Sequence, residues 1–260
     1  MKSKKKIWIG VGIAVAVISV ITISWLISRK KGKGNGGKSL LKVNRPLVVS
    51  HICNIDAQGS TKAQNNLMNI QLNIDNDIDM VEMDVQITRD GVPVLFHDNT
   101  LDKVTNGSGK IQDKTWSEIS QLRYKSDQSQ GIAKLQDAID ILKRSGKPTI
   151  FQLDKCDASE IAKINSLGLF NGIQNQILCK GQSFTKPQSV VDANVMWMPI
   201  IPSQYVGRMN NQSVIDEIVQ KTNGSQFLEA QFSDADTLLI DGTLSNELEK
   251  INCRLLVVAC

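Results

Sequence analysis

Short runs of strand-like composition alternate with helix-like stretches along most of the chain, and this alternation constrains the fold more than any other feature of the sequence. The strand candidates are residues 47–51, 80–85, 92–96, 148–153, 176–180, 195–201, 227–232 and 254–259. Between them lie stretches of helical period. Leu135, Ala138, Ile139 and Leu142 recur at helical spacing within 133–144, and 213–221 is a second example. Such alternation predicts a parallel sheet with helices outside it, either a closed barrel or an open doubly wound sheet.

The first forty residues have a different character. Residues 7–28 carry no charge, long enough as a helix to cross a hydrocarbon core about 30 Å thick, and Trp8 and Trp25 stand near the two ends, where interfacial aromatics belong. Nine of the thirty basic residues lie within the first 38 positions, where there is no acid, so the net charge of +4 conceals a globular part with 21 basic and 26 acidic residues, about −5. That balance argues against a nucleic-acid-binding face and makes the basic clusters a membrane flank. A cleaved signal peptide would have a shorter apolar part ending in a small-x-small site, which WLISRKK does not offer. The expected organisation is a basic flank (1–6), a transmembrane anchor (7–28), a glycine and lysine linker (29–40) and a folded domain (41–260). The five cysteines, Cys53, Cys156, Cys179, Cys253 and Cys260, are odd in number, lack metal-ligand spacing and favour a reducing environment or an anaerobic host. A single apolar helix after a short basic N-terminus more often leaves the following domain outside in bacteria. A single-pass membrane protein with an extracytoplasmic domain is therefore expected.

The chemistry concentrates in residues 80–98, MVEMDVQITRDGVPVLFHD. Side chains alternate along a strand, so Val81, Met83 and Val85 point one way while Glu82 and Asp84 point the other. Two carboxylates side by side on a buried strand are costly unless they share a proton or a cation sits between them. A hard, oxygen-seeking ion such as Mg²⁺ or Ca²⁺ suits that ligand type. The turn Arg89-Asp90-Gly91 reverses the chain into a strand that ends in His97-Asp98, and an earlier strand ends in His51. These are the chain's two histidines, and both fall at the C-terminal ends of strand candidates, where barrel active sites are built. Together with the paired carboxylates they are read as proton-transfer residues.

This arrangement resembles the glycerophosphodiester phosphodiesterase family. The family's His-Arg-Gly, Pro-Glu-Asn-Thr, Glu-x-Asp-Val, Thr-x-Asp-Gly, His-Asp and leucine-aspartate-arginine-threonine-threonine-asparagine-glycine runs are met in order by His51-Ile52-Cys53, Ala63-Gln64-Asn65-Asn66, Glu82-Met83-Asp84-Val85, Thr88-Arg89-Asp90-Gly91, His97-Asp98 and Leu101-Asp102-Lys103-Val104-Thr105-Asn106-Gly107. Ile132-Ala133-Lys134-Leu135-Gln136-Asp137 is similar to the family's isoleucine-proline-threonine-leucine-glutamate-glutamate helix start. The resemblance implies a TIM-type (β/α) barrel. It makes His51 and His97 the general acid and base, and Glu82 and Asp84 ligands of a divalent cation, Mg²⁺ or Ca²⁺.

Four departures stand out. Ile52 occupies the place of an arginine that would grip a phosphate bidentately. Gln64 replaces a glutamate. The family's Glu-x-Lys on the fourth strand reads Gln152-Leu153-Asp154, which puts Gln152 and Asp154 among the expected metal ligands and leaves Lys155 and Lys180 as candidates for the missing cation. After LEKINCRLLVVAC the family continues through a helix and a last strand, so the barrel is expected either to be incomplete at the C-terminus or to be closed in another way. The function implied is metal-dependent hydrolysis of glycerophosphodiesters, or phospholipid headgroup diesters, to an alcohol and glycerol 3-phosphate. The alternative is a catalytically silent barrel that binds a phosphodiester or a protein partner.

Overall fold

A stave of a barrel is covered on both faces, so apolar side chains must occupy its odd and even positions alike. The strand candidates meet that demand, and the computed structural model shows the consequence. It describes residues 43, 47–51, 64–205, 207–209, 211–231 and 243–258, all within one compact unit spanning 35–260. Nine strands lie among the described residues: β1 Val49–Ser50, β2 Met80–Ile87, β3 Pro93–Leu95, β4 Ala133–Lys134, β5 Ile150–Asp154, β6 Ile177–Gly181, β7 Met196–Pro199, β8 Phe227–Gln231 and β9 Arg254–Val258. The described α-helices are α1 Leu67–Asp75, α2 Trp116–Ile119, α3 Leu135–Ser145, α4 Ala158–Ser166, α5 Gln188–Ala193, α6 Gln212–Thr222 and α7 Thr243–Lys250.

Strands β1, β2, β5, β6 and β7 pair in that order, all parallel. A parallel bridge between Ile200 and Glu229 links the end of β7 to the parallel pair β8–β9. The seven staves among the described residues share one interior. Val49, Met80, Ile150, Leu178, Met196, Phe227 and Leu256, one from each, meet in a single apolar cluster, which requires the staves to curve around a common axis. Arg254 at the start of β9 donates to the carbonyl of Val43, ahead of β1, at 3.1 Å. The architecture is an α/β barrel, as expected.

The outward side chains of the same strands, among them Val81, Met83, Phe151, Leu153, Ile177 and Cys179, join Ile139, Leu142, Ile161 and Ile164 of the helices in the largest core cluster. Burying each such side chain contributes roughly 1.5–3 kcal/mol, which outweighs the weak intrinsic preferences of these short helices. Helix α3 carries its apolar stripe as predicted, with Asp137 in its first turn, Lys143 and Arg144 in its last, and Gly146 closing it at φ +60°.

Two expectations are corrected. Residues 133–134, assigned to a helix from their spacing, form β4, because their backbones pair with Leu95 and Val94 before α3 begins. The sheet is also not wholly parallel. Residues 85–87 run past the ring and pair antiparallel with β3, so His97 reaches the barrel mouth on the returning arm of a hairpin rather than at the end of a stave. The excursion after β3 has its own small core of Phe96, Leu101, Ile111, Ile119 and Tyr124. The expected anchor at 7–28 lies outside the described residues, as do Ile52 and Cys53. Among the described residues no helix is long and apolar enough to cross a membrane.

Candidate active site

Above the apolar interior layer, the next inward positions of the staves are polar. On β2 Met80 is followed inward by Glu82 and Asp84, and on β5 Ile150 by Gln152 and Asp154. The ladder sets Glu82 beside Gln152 and Asp84 beside Asp154. Glu82 is 2% exposed and Asp84 1%. Glu82, Asp84 and Asp154 each offer an oxygen within 4.8 Å of the others. Gln152 is equally buried, and its side-chain oxygen accepts no hydrogen bond. All four residues expected to hold a metal are thus brought together.

The donor set fits such an ion. Three carboxylates and an amide carbonyl are hard oxygen ligands of the kind Mg²⁺ and Ca²⁺ take. Two ammonium groups stand beside these carboxylates, Lys155 next to Asp84 and Lys180 next to Asp154 and Glu229.

His51 follows β1, and its Nε2 lies 4.0 Å from Glu82 Oε2. Burial, then the charge of Lys180, lowers its imidazole below the ordinary value of 6.5, against the opposing pull of Asp84 and Asp154. His97 belongs to the same electrostatic neighbourhood. Its Nδ1 lies 2.8 Å from Asp98 Oδ1, which fixes the ring and leaves Nε2 as the atom free to exchange a proton. Gln86 steadies the segment by donating to the carbonyls of Phe96 and Asp98, each at 2.9 Å, and Lys155 Nζ donates to the carbonyl of His97. Beside His97 opens a cavity of about 330 Å³ walled by Gln64, Phe96, Asp98, Lys103 and Tyr124. That is at the lower end of small-molecule pockets.

Two residues hold the cluster in unusual backbone conformations. Asn65, at φ +55°, donates from Nδ2 to Asp84 Oδ2 at 3.0 Å and accepts the Asp84 N–H at 3.1 Å. Lys155, at φ +58°, turns its N–H onto Asp154 Oδ1 at 2.7 Å and places Nζ 3.6 Å from Asp84 Oδ1. Left-handed backbone outside glycine is uncommon, and two instances gripping one carboxylate cluster show how tightly that cluster is positioned.

Sequence reasoning missed Glu229. It is 4% exposed on β8 and lies 3.4 Å from Lys180 Nζ. Its signal was available: an isolated carboxylate in the apolar run FLEAQF has the same logic as Glu82 and Asp84 in MVEMDV. Asn65 was quoted only as part of a motif, and its grip on Asp84, nineteen positions away, depends on the fold.

Comparison with known proteins agrees with the geometry. The sequence model of the glycerophosphoryl diester phosphodiesterase family matches residues 57–166. Glycerophosphodiester phosphodiesterase 1 of Rattus norvegicus is 44% identical over 59 residues, which are 23% of this chain and 18% of the relative. A glycerophosphodiester phosphodiesterase of Bacillus subtilis is 29% identical over 106 residues, 41% of this chain and 34% of the relative. The chain therefore spans about a fifth to a third of the length of these curated relatives. Among solved structures, the glycerophosphodiester phosphodiesterase of Thermotoga maritima superposes with a TM-score of 0.60 at 17% identity, covering 84% of this chain and 88% of the other. A phosphodiesterase of Oleispira antarctica, in complex with the product sn-glycerol-3-phosphate, superposes with a TM-score of 0.59 at 20% identity, covering 86% and 87%. These two likenesses concern the fold.

Proposed function

We propose that the chain is a member of the glycerophosphodiester phosphodiesterase family, whose sequence model matches residues 57–166, and that it hydrolyses glycerophosphodiesters to an alcohol and glycerol 3-phosphate with the help of a divalent cation. The observation that carries the reading is the convergence of both histidines of the chain on one buried carboxylate cluster at the barrel mouth. Hydrolysis forms a bond from an attacking oxygen to phosphorus and breaks the bond from phosphorus to the alcohol oxygen. The imidazole of His51, kept uncharged near neutral pH, is suited to take the proton of the attacking oxygen. His97, steadied through Nδ1 by Asp98, is suited to deliver a proton from Nε2 to the departing alkoxide. Glu82, Asp84, Gln152 and Asp154 would hold the cation, which supplies positive charge against the phosphoryl oxygens.

The test is release of glycerol 3-phosphate from glycerophosphocholine by the full chain, with Mg²⁺, with Ca²⁺ and with EDTA. Activity that needs the cation and is lost in His51→Ala and His97→Ala supports the reading. A second reading is a silent barrel that binds a phosphodiester or a protein, and it is favoured by the ion pairs that already join Lys155 to Asp84 and Lys180 to Asp154. Absence of hydrolysis in the folded chain, and also in Ile52→Arg/Gln152→Glu, decides for the silent barrel. We further propose that residues 7–28 anchor the chain in a membrane, with the barrel on the extracytoplasmic side. The uncharged stretch and its basic flanks support this. Recovery of the mature chain in the soluble fraction, or an N-terminus beyond Ser28, would refute it.

A further inference from the structure

Lys180 is a buried cation that the hydrolytic scheme leaves without a task. Its side chain is 6% exposed on β6, and its Nζ lies 2.9 Å from Asp154 Oδ2 and 3.4 Å from Glu229 Oε2. The ammonium stands between two carboxylates. A buried ion pair is a poor device for stability, because desolvating the charges offsets most of their attraction. Three charged residues from three different staves, gathered above the apolar layer of the barrel, point to a task beyond stability.

Position suggests the task. The ladder sets Leu178 beside Gln152, so Lys180 stands two residues higher, on the level of Asp154 and Asp84 at the top of the carboxylate cluster. Its charge also reaches His51 and Glu82. An ammonium has three N–H donors, and two carboxylates engage two of them. Among the described residues no further acceptor engages the third, which is the donor a ligand oxygen would take. Lys155 engages as many partners, the carbonyl of His97 and Asp84, but its side chain is 34% exposed at the rim, where water competes for its remaining donor.

We propose that Lys180 binds a non-bridging oxygen of the phosphoryl group, and that Glu229 is its positioning residue, holding the ammonium toward the mouth from β8. This rests on the reading of the site as a phosphodiesterase centre, and it gives the phosphate a grip from the barrel wall where residue 52 is apolar.

Binding of inorganic phosphate and of glycerol 3-phosphate to the full chain, measured by calorimetry in EDTA and again with Mg²⁺ or Ca²⁺, tests it without requiring turnover. Lys180→Met should weaken both ligands by on the order of tenfold to a hundredfold, the worth of one charge-assisted hydrogen bond. Lys180→Arg should restore part of the loss. Lys180→Met strands the buried Glu229 carboxylate beside the partly exposed Asp154 and risks misfolding, so Lys180→Met/Glu229→Met, which removes a cation and an anion together, serves beside it and should show the same loss. Glu229→Gln should weaken binding by less than Lys180→Met, and adding it to Lys180→Met should cost little more, because the two act as one unit. Phosphate affinity within twofold of the parent in the folded double variant overturns the proposal, as does a loss confined to Lys155→Met. A parent chain that binds neither ligand removes the phosphodiesterase reading along with this one, whereas a binding parent with an unaffected double variant removes this one alone.

Discussion

Gln152 stands where the cluster offers a cation a dipole instead of a charge. Its carbonyl oxygen is buried, lacks a hydrogen-bond donor and lies beside Glu82 on the ladder. Gln152→Glu should tighten Mg²⁺ or Ca²⁺ binding about tenfold, as a carboxylate replaces an amide in the same place. Calorimetric titration checks this, and unchanged affinity would mean that residue 152 is not a ligand. If the proposed cation-dependent activity holds, Asp154→Asn should weaken it more than Gln152→Ala, since Asp154 would offer charge to an ion and also holds Lys180. Elsewhere single residues report burial rather than chemistry. Burial pushes the Cys179 and Cys253 thiols up to about 12 and raises Cys156 as well. At pH 8.5 these three should resist iodoacetamide in the native chain and react in denaturant, as read by peptide mapping. Labelling of Cys179 in the native chain would show that β6 opens to solvent.

At the level of elements, the end of β6 carries a constraint that joins packing to the site. A Cβ added at Gly181 would lie 2.6 Å from the Trp197 ring, so this strand approaches β7 as closely as it does only because residue 181 has no side chain. Gly181→Ala should cost about 1–3 kcal/mol in chemical denaturation, because the indole belongs to the main core and must shift. The same shift adjoins Lys180, so weaker phosphate binding should accompany the lost stability. Helix α4 illustrates local coding instead. Asp157 caps it by accepting from the N–H groups of Ser159 and Glu160, while the Glu160 side chain returns to the Asp157 N–H. Asp157→Ala should lower stability by about 1 kcal/mol, the usual worth of such a cap. A loss several times larger would mean that α4 carries more of the barrel than its cap implies.

Over the whole molecule, the barrel divides into an apolar plug and a polar mouth, and the plug holds the mouth in register. Phe227 is fully buried in the interior layer that all seven staves share. Phe227→Ala should cost roughly 3–5 kcal/mol. Because Glu229 sits two residues further along the same stave, the variant should also loosen the hold on Lys180. Denaturation and phosphate titration of one preparation measure both effects, and a stability loss below about 1 kcal/mol would contradict a plug continuous across the ring.

The sequence by itself determined the class of fold, the paired carboxylates of β2 and the two histidines, because each is written in short-range pattern. Double-sided apolar runs specify buried staves, alternation puts Glu82 and Asp84 on one face, and helical spacing gives α3 its stripe. The pairing of β4 with β3 was not legible, since Ala133 and Lys134 fit a helix equally well until a neighbouring backbone is present to bond them. The route of His97 to the mouth was likewise set by the antiparallel return of β3 along the overhanging end of β2. That Lys155 meets Asp84 while Lys180 meets Asp154 and Glu229, only the tertiary structure decided. Lys180 and Glu229 are 49 positions apart, on staves whose relative height is set by how the whole ring staggers, and no local pattern encodes that stagger.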